Sequence, residues 1–173
     1  MLNAKLKPYA PYIGILLVLG ILLMYSQMRQ RKYEAKIEKV FDFAATEVTE
    51  FTVSKDDVKV TIAKGDSSWF FAAPDTGTAD DYRVKQFIRE VLGATREDAV
   101  SEDTIKYNEY GVTESSAVKL ELRANGKQLS KVYLGQSKKD IGQEYVRYAG
   151  DDRVYPLRGR VISNLSAAAS WWR

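Results

Sequence analysis

The stretch Tyr9 to Met28, YAPYIGILLVLGILLMYSQM, limits what this chain can become more than any other part of it. From Ile13 to Met24 it holds only Ile, Leu, Val, Met and the two glycines Gly14 and Gly20. At about 1.5 Å of rise per residue such a run, as a helix, spans roughly 30 Å, the thickness of a bilayer's hydrocarbon core. Its flanks suit that setting. Tyr9, Tyr12 and Tyr25 stand at headgroup level, with Lys5 and Lys7 outside one end and Arg29, Arg31 and Lys32 outside the other. Tyr25-Ser26-Gln27-Met28-Arg29 contains no small-residue cleavage site of the signal-peptide kind. A core helix of so small a protein would carry a polar face. The expectation is an uncleaved, single-pass transmembrane helix over 9–28, preceded by a flank over 1–8.

The net charge of +3 over 173 residues hides an uneven distribution. Residues 1–39 carry seven Lys or Arg against two Glu, so residues 40–173 sum to −2. The basic excess is juxtamembrane, where lipid headgroups are its natural partner. A near-neutral remainder offers no electrostatic footprint for nucleic acid. The chain has no Cys and no His, which removes thiol nucleophiles, disulfides, imidazole bases and the usual zinc and haem ligands together. Counted by Lys and Arg alone, the two flanks lean slightly toward a cytoplasmic domain.

Residues 29–43 read as a juxtamembrane helical stalk, with Tyr33, Ile37, Val40 and Phe41 at i, i+4, i+7 and i+8. The period then changes. Val48 to Ser54 and Val58 to Ile62 alternate on either side of Lys55-Asp56-Asp57, predicting a hairpin, and Trp69-Phe70-Phe71 predicts a third strand that stops at Pro74. Tyr82, Val84, Phe87, Ile88, Val91 and Leu92 give a helical stripe that Gly93 terminates, with Asp80 or Asp81 as its cap. After an irregular acidic stretch, Val118 to Leu122 and Gln128 to Leu134 flank an Asn125-Gly126 turn. Further strands over Glu144 to Tyr148 and Val154 to Leu157 precede a second helical stripe, Val161, Ile162, Leu165, Ala168, Ala169 and Trp172. The fold class expected is α+β. An extramembrane domain over 44–173 is built of two similar units, 44–93 and 117–173, each of antiparallel hairpins plus one amphipathic helix, helices covering one face of the sheets.

Val40-Phe41-Asp42-Phe43 with Glu47-Val48, then Trp69, Pro74 and Asp80, then Tyr110-Gly111-Val112, Leu134-Gly135, Tyr145-Val146-Arg147, Val154-Tyr155 and a final tryptophan occur in order. In this order and spacing the chain, over about residues 37 to 172, resembles the domain-of-unknown-function family 4340, small domains hung on one N-terminal transmembrane helix. Some members are linked to gliding-motility-type ABC transporters as auxiliary components. The resemblance implies a domain outside the cytoplasm, hence periplasmic beside a bacterial inner membrane, and supplies no catalytic residue.

Chemistry by carboxylates would have to come from Asp56-Asp57, Asp80-Asp81 or Asp151-Asp152. Neighbouring acids in turns and caps do not converge as general acid/base pairs do. Calcium-loop spacing is absent. Ser116 and Lys119 fit S-x-x-K, but a strand puts them on opposite faces. Leu134 to Lys139 lacks the second glycine of a phosphate loop. The expectation is therefore no enzyme, no metal and no cofactor. Contact residues are expected at the membrane flanks (Tyr9, Tyr12, Tyr25, Arg29, Arg31, Lys32), at Gly14 and Gly20 for close helix packing, and near the C-terminal end. There Trp172 closes the core, leaving Trp171 and Arg173 for a partner or headgroups, and Arg147, Arg153, Arg158 and Arg160 form a basic rim. The function expected is an accessory or scaffold subunit that packs in and braces a larger integral-membrane complex. The alternative is a ligand- or polymer-binding auxiliary of an ABC-type transport or gliding-motility system.

Overall fold

A computed structural model describes residues 15–25 and 36–173, in two compact units that divide between residues 35 and 36. In the first unit, residues 15–25 form a helix (α1). No helix among the described residues is long and apolar enough to cross a membrane. At about 1.5 Å per residue α1 covers roughly 16 Å, about half a hydrocarbon core. The rest of the expected 9–28 span lies outside the described residues.

The second unit is one antiparallel sheet. Its strands are β1 (Glu38–Lys39), β2 (Glu50–Lys55), β3 (Val58–Lys64), β4 (Trp69–Phe71), β5 (Thr95–Arg96), β6 (Val118–Ala124), β7 (Lys127–Gln136), β8 (Glu144–Tyr148) and β9 (Val154–Arg158). They lie in the order β1-β5-β9-β8-β7-β6-β2-β3-β4. Both hairpins form where turn chemistry places them. Asp56 (φ 52°) opens the β2–β3 turn, and Asn125 (φ 50°) with Gly126 (φ 81°) makes the two-residue β6–β7 turn.

This overturns the α+β division into two units with a helix each. Phe51 of β2 sits opposite Leu122 of β6, and Val53 opposite Leu120, so the two halves are continuous through one ladder and share one core. Only the first half keeps its helix. Asp80 caps α2 (Asp81–Gln86), its carboxylate accepting from Arg83 N at 2.9 Å, and a π turn over Phe87–Val91 completes it.

The helix expected over Val161 to Trp172 is replaced by two 3-10 turns, Ile162–Asn164 and Ala169–Trp172. Tertiary bonds take the groups a helix would use. The buried Glu144 carboxylate accepts from Val161 N (2.6 Å) and Ile162 N (2.9 Å), and the Trp172 indole donates to Ser166 O (2.8 Å). Ser163, Asn164 and Ser166 favour such turns intrinsically.

Residues 36–43 are likewise not helical. β1 pairs with β5, and the adjacent side chains of Val40 and Phe41 both enter the core, which this extended, irregular path allows. Residues 29–35 of the expected stalk lie outside the described residues.

Period-2 alternation gives the sheet one apolar face, with Phe51, Val53, Val60, Ile62, Leu120, Leu122, Val132, Leu134 and Val146 buried along it. α2, the π turn and the C-terminal segment cover that face. At its centre the Phe51 ring stacks on Phe87 (4.1 Å between centroids, 20° apart) and tilts against Trp172 (5.2 Å) and Trp69 (5.6 Å). Phe51, Phe87 and Trp172 are each 0% exposed. Trp172→Ala is expected to destabilise the domain by about 3–5 kcal/mol, and Trp171→Ala by about 1–2 kcal/mol, since this half-buried ring loses an edge contact with Trp172 (4.6 Å) and a cation–π contact with Arg83 (4.4 Å). Urea unfolding of the two variants measures the difference, and equal losses would contradict the central place given to Trp172.

Candidate interaction surfaces

Of the contact residues expected from sequence, Tyr9, Tyr12, Gly14, Arg29, Arg31 and Lys32 lie outside the described residues. Gly20 faces open space on α1, with nothing within 4 Å of where a Cβ would sit. Tyr25 is the last described residue of that helix and is largely exposed.

Trp172 is buried, while the half-buried Trp171 and the exposed Arg173 make contacts with their own domain. The Arg83 guanidinium lies 4.4 Å over the Trp171 ring. Arg173 lies 4.9 Å over Phe71 and reaches Asp75 (3.7 Å). Asp80 N donates to Trp172 O at 2.6 Å, which ties the last turn to the start of α2. These contacts make a clasp on the chain's own β4–α2 connection.

The expected basic rim does not assemble. Arg158 pairs with Glu97 (2.8 Å) and Arg153 with Asp151 (2.9 Å), while Arg160 is exposed in the loop after β9. Arg147 is buried. Its guanidinium is sandwiched between Tyr133 (4.1 Å) and Tyr107 (4.4 Å), and its Nε donates to Val112 O (3.2 Å).

That sandwich belongs to a second, smaller core on the opposite face of the sheet. Val112, Ala117, Tyr133, Tyr145 and Val154 are buried there, with Tyr107 and Tyr110 packed against them. The cover is the irregular stretch between the halves, which contains α3 (Tyr107–Tyr110). Gly111 and Gly135 let two backbones meet. A Cβ on Gly135 would fall 2.3 Å from the Gly111 carbonyl, and Gly111 itself has φ 70°. Of the landmarks, Tyr110, Gly111, Val112, Gly135, Tyr145, Arg147 and Val154 thus meet at this site, while Leu134, Val146 and Tyr155 belong to the main core.

The other half of this second face is open. Across β3, β2, β6 and β7 one row runs Lys59, Ser54, Lys119, Tyr133 and the next runs Thr61, Thr52, Glu121, Lys131. Thr52 and Thr61 share a hydroxyl bond of 3.0 Å beneath the longer side chains. Lys59, Lys119 and Lys131 surround a depression of about 100 Å³ with Thr52, Ser54 and Glu121. The alternation in Val58-Lys59-Val60 and Val118-Lys119-Leu120 signals that these lysines face away from the main core. Only the β2–β6 register reveals that they share a site.

A groove of about 360 Å³ lies on the first face, between the β2–β3 turn and residues 162–168, where the second helix is missing. Val58, Val118, Leu165 and Ala167 line its apolar side, with Lys55 and Asp56 at the turn.

The acidic pairs act in turns and caps, as Asp56 and Asp80 show. The Ser116 hydroxyl is held by Thr113 at 2.6 Å, and Lys138 and Lys139 tie their loop to Asn108 and Glu109. No group of three or more acidic residues among the described residues could hold a metal ion.

The family described as "Domain of unknown function (DUF4340)" matches residues 69–173. The chain belongs to this family. The matched span takes in the α2 helix, the second-face core and the C-terminal clasp. No curated protein and no solved structure matches the chain.

Burial raises the phenol pKa of Tyr107, Tyr145, Tyr148 and Tyr155 above the ordinary tyrosine range. A raised folded-state value makes their contribution complete below about pH 10 and lost as pH climbs through the folded values. The domain is therefore expected to lose stability above about pH 10, with tyrosinate absorbance rising together with loss of the β circular-dichroism signal. Tyr148→Phe, which removes the phenol bonded to Val40 O (2.7 Å), lowers stability at neutral pH but shallows the alkaline fall. A fall unchanged in steepness would exclude Tyr148 as a contributor.

Proposed function

We propose that this protein is a non-catalytic accessory subunit. Its apolar N-terminal segment anchors it at a membrane, and its β domain braces a larger integral-membrane assembly. One observation carries this reading. The large side chains of α1 are all apolar or tyrosine, and each is 50–69% exposed. Contiguous apolar surface on every side of a helix has to be buried in lipid or against another protein's helices. The setting we assign is a bacterial inner membrane with the domain on the periplasmic side, in keeping with the family resemblance.

The 360 Å³ groove favours a second reading, an auxiliary that binds a ligand or polymer for an ABC-type transport system. Its volume falls at the small end of ligand sites, which run about 300–1,000 Å³.

Two measurements separate these readings. The full chain is expected to resist carbonate extraction from membranes, whereas a chain of residues 36–173 is released. Purification in mild detergent is expected to yield a partner subunit at fixed stoichiometry. Release of the full chain by carbonate would remove the anchor. A monomer whose small-molecule binding is abolished by Leu165→Trp in the groove would favour the second reading.

A further inference from the structure

From the open half of the second face we infer that the domain docks an acidic segment of a protein partner on the lysine triad Lys59, Lys119 and Lys131. The chemistry begins with charge. Residues 40–173 sum to −2, yet three ammonium groups are gathered here, and none of them forms an ion pair among the described residues. The carboxylates close by are already taken. Arg123 holds Glu121 at 2.5 Å and Glu50 at 3.8 Å, so Glu121 does not neutralise the lysines it sits among. Like charges held together without compensation cost stability, and a face that retains them is matched by opposite charge on what it meets.

Register sets the spacing. Lys59 and Lys119 flank Ser54 in one row, which places their Cα atoms two strand spacings apart, about 10 Å. Lys131 is the diagonal neighbour of Lys119 through the Glu121–Lys131 and Lys119–Tyr133 pairs, at about 7–8 Å. At these spacings a run of carboxylates along an extended peptide can meet all three at once. The depression of about 100 Å³ is also too shallow to enclose a ligand. Thr52 and Ser54 hydroxyls on its floor add uncharged donors beneath the ammonium groups.

The assignment of a protein as the source of the acid rests on the accessory-subunit reading above; the basic site itself does not. The test therefore uses the full chain in non-ionic detergent, titrated with an acetylated and amidated Glu-rich dodecapeptide bearing a fluorophore, followed by anisotropy. Replacing Lys59, Lys119 and Lys131 together by Gln is expected to weaken binding about tenfold. Replacing Lys64, Lys106 and Lys127, three exposed lysines elsewhere, changes the same net charge and is expected to leave it within about twofold. Equal losses in the two triple variants would overturn the site, as would displacement of the peptide by inorganic phosphate at an equal concentration of anionic groups. In membranes, a photo-crosslinking residue at Ser54 (Ser54→p-benzoylphenylalanine) is expected to capture peptides rich in Asp and Glu. Capture of lipid alone would overturn the protein partner while leaving the anchor, tested separately by carbonate extraction, intact.

Discussion

The stack of Phe51 on Phe87, closed by Trp172, is the contact on which the rest of the domain depends. It joins three pieces of chain that no local force brings together: the central strand β2, the π turn after α2, and the last residues. Each ring buries about 150–250 Å², and offset or tilted pairs add about 0.5–1.5 kcal/mol beyond that area. Phe87 and Val91, four residues apart, share one face of the π turn and are both buried in the main core. The same packing explains the absence of a second helix. With Trp172 O accepting from Asp80 N and Glu144 accepting from Val161 N and Ile162 N, the C-terminal segment satisfies part of its polar groups against neighbours and the rest within short 3-10 turns and the Trp172–Ser166 bond.

The β2–β6 pairing organises everything outward from that centre. β2 leads through β3 to β4 toward one edge, and β6 leads through β7 and β8 to β9 toward the other. Two meanders therefore leave one antiparallel pair in opposite directions. Apolar cover on the first face follows for both halves. On the second face the connecting stretch covers only the β7–β9 half, held by Arg147 between two tyrosine faces. Cation–π contacts and a backbone carbonyl suit a guanidinium, which is weakly hydrated and planar, better than they would an ammonium.

Most of the sheet was legible in the residues. Alternation located β2, β3, β6 and β7, Asn125-Gly126 located a turn, and Asp80 located a helix start. The misreadings share one physical cause. Val161, Leu165 and Trp172 do repeat at helical spacing, but that spacing reports only that they are buried, and a segment of 3-10 turns buries them equally well. Val40 and Phe41 misled in the same way, since adjacent buried residues fit an irregular strand entry as well as a helical stripe. The division into two units failed because hydrophobic period says nothing about which strands pair. Among the contact residues, Trp171 and Arg173 carried the composition of an interface, yet Arg83, Phe71 and Asp75 of the same domain meet them. The lysine triad went unseen for the converse reason: each lysine is ordinary alone, and only register gathers them.

The sheet's edges decide where a partner can approach. Beyond β4, Phe71 N donates to Gly77 O and Ala79 N to Trp69 O, so that edge is paired by its own following loop. Beyond β9 the segment 95–101 takes up the ladder, through β5 and the Ser101–Val154 bridge. β1 is two residues long and charged, Glu38–Lys39, which is a poor template for another strand. Strand addition is thus closed off at both ends, and the first face is covered by α2 and the C-terminal clasp except at the groove beside the β2–β3 turn. What remains is the open half of the second face, polar and cationic in a domain whose sum is negative. On the accessory-subunit reading, charge held in fixed geometry adds discrimination between partners, and a sheet face fixes its rows through the backbone ladder.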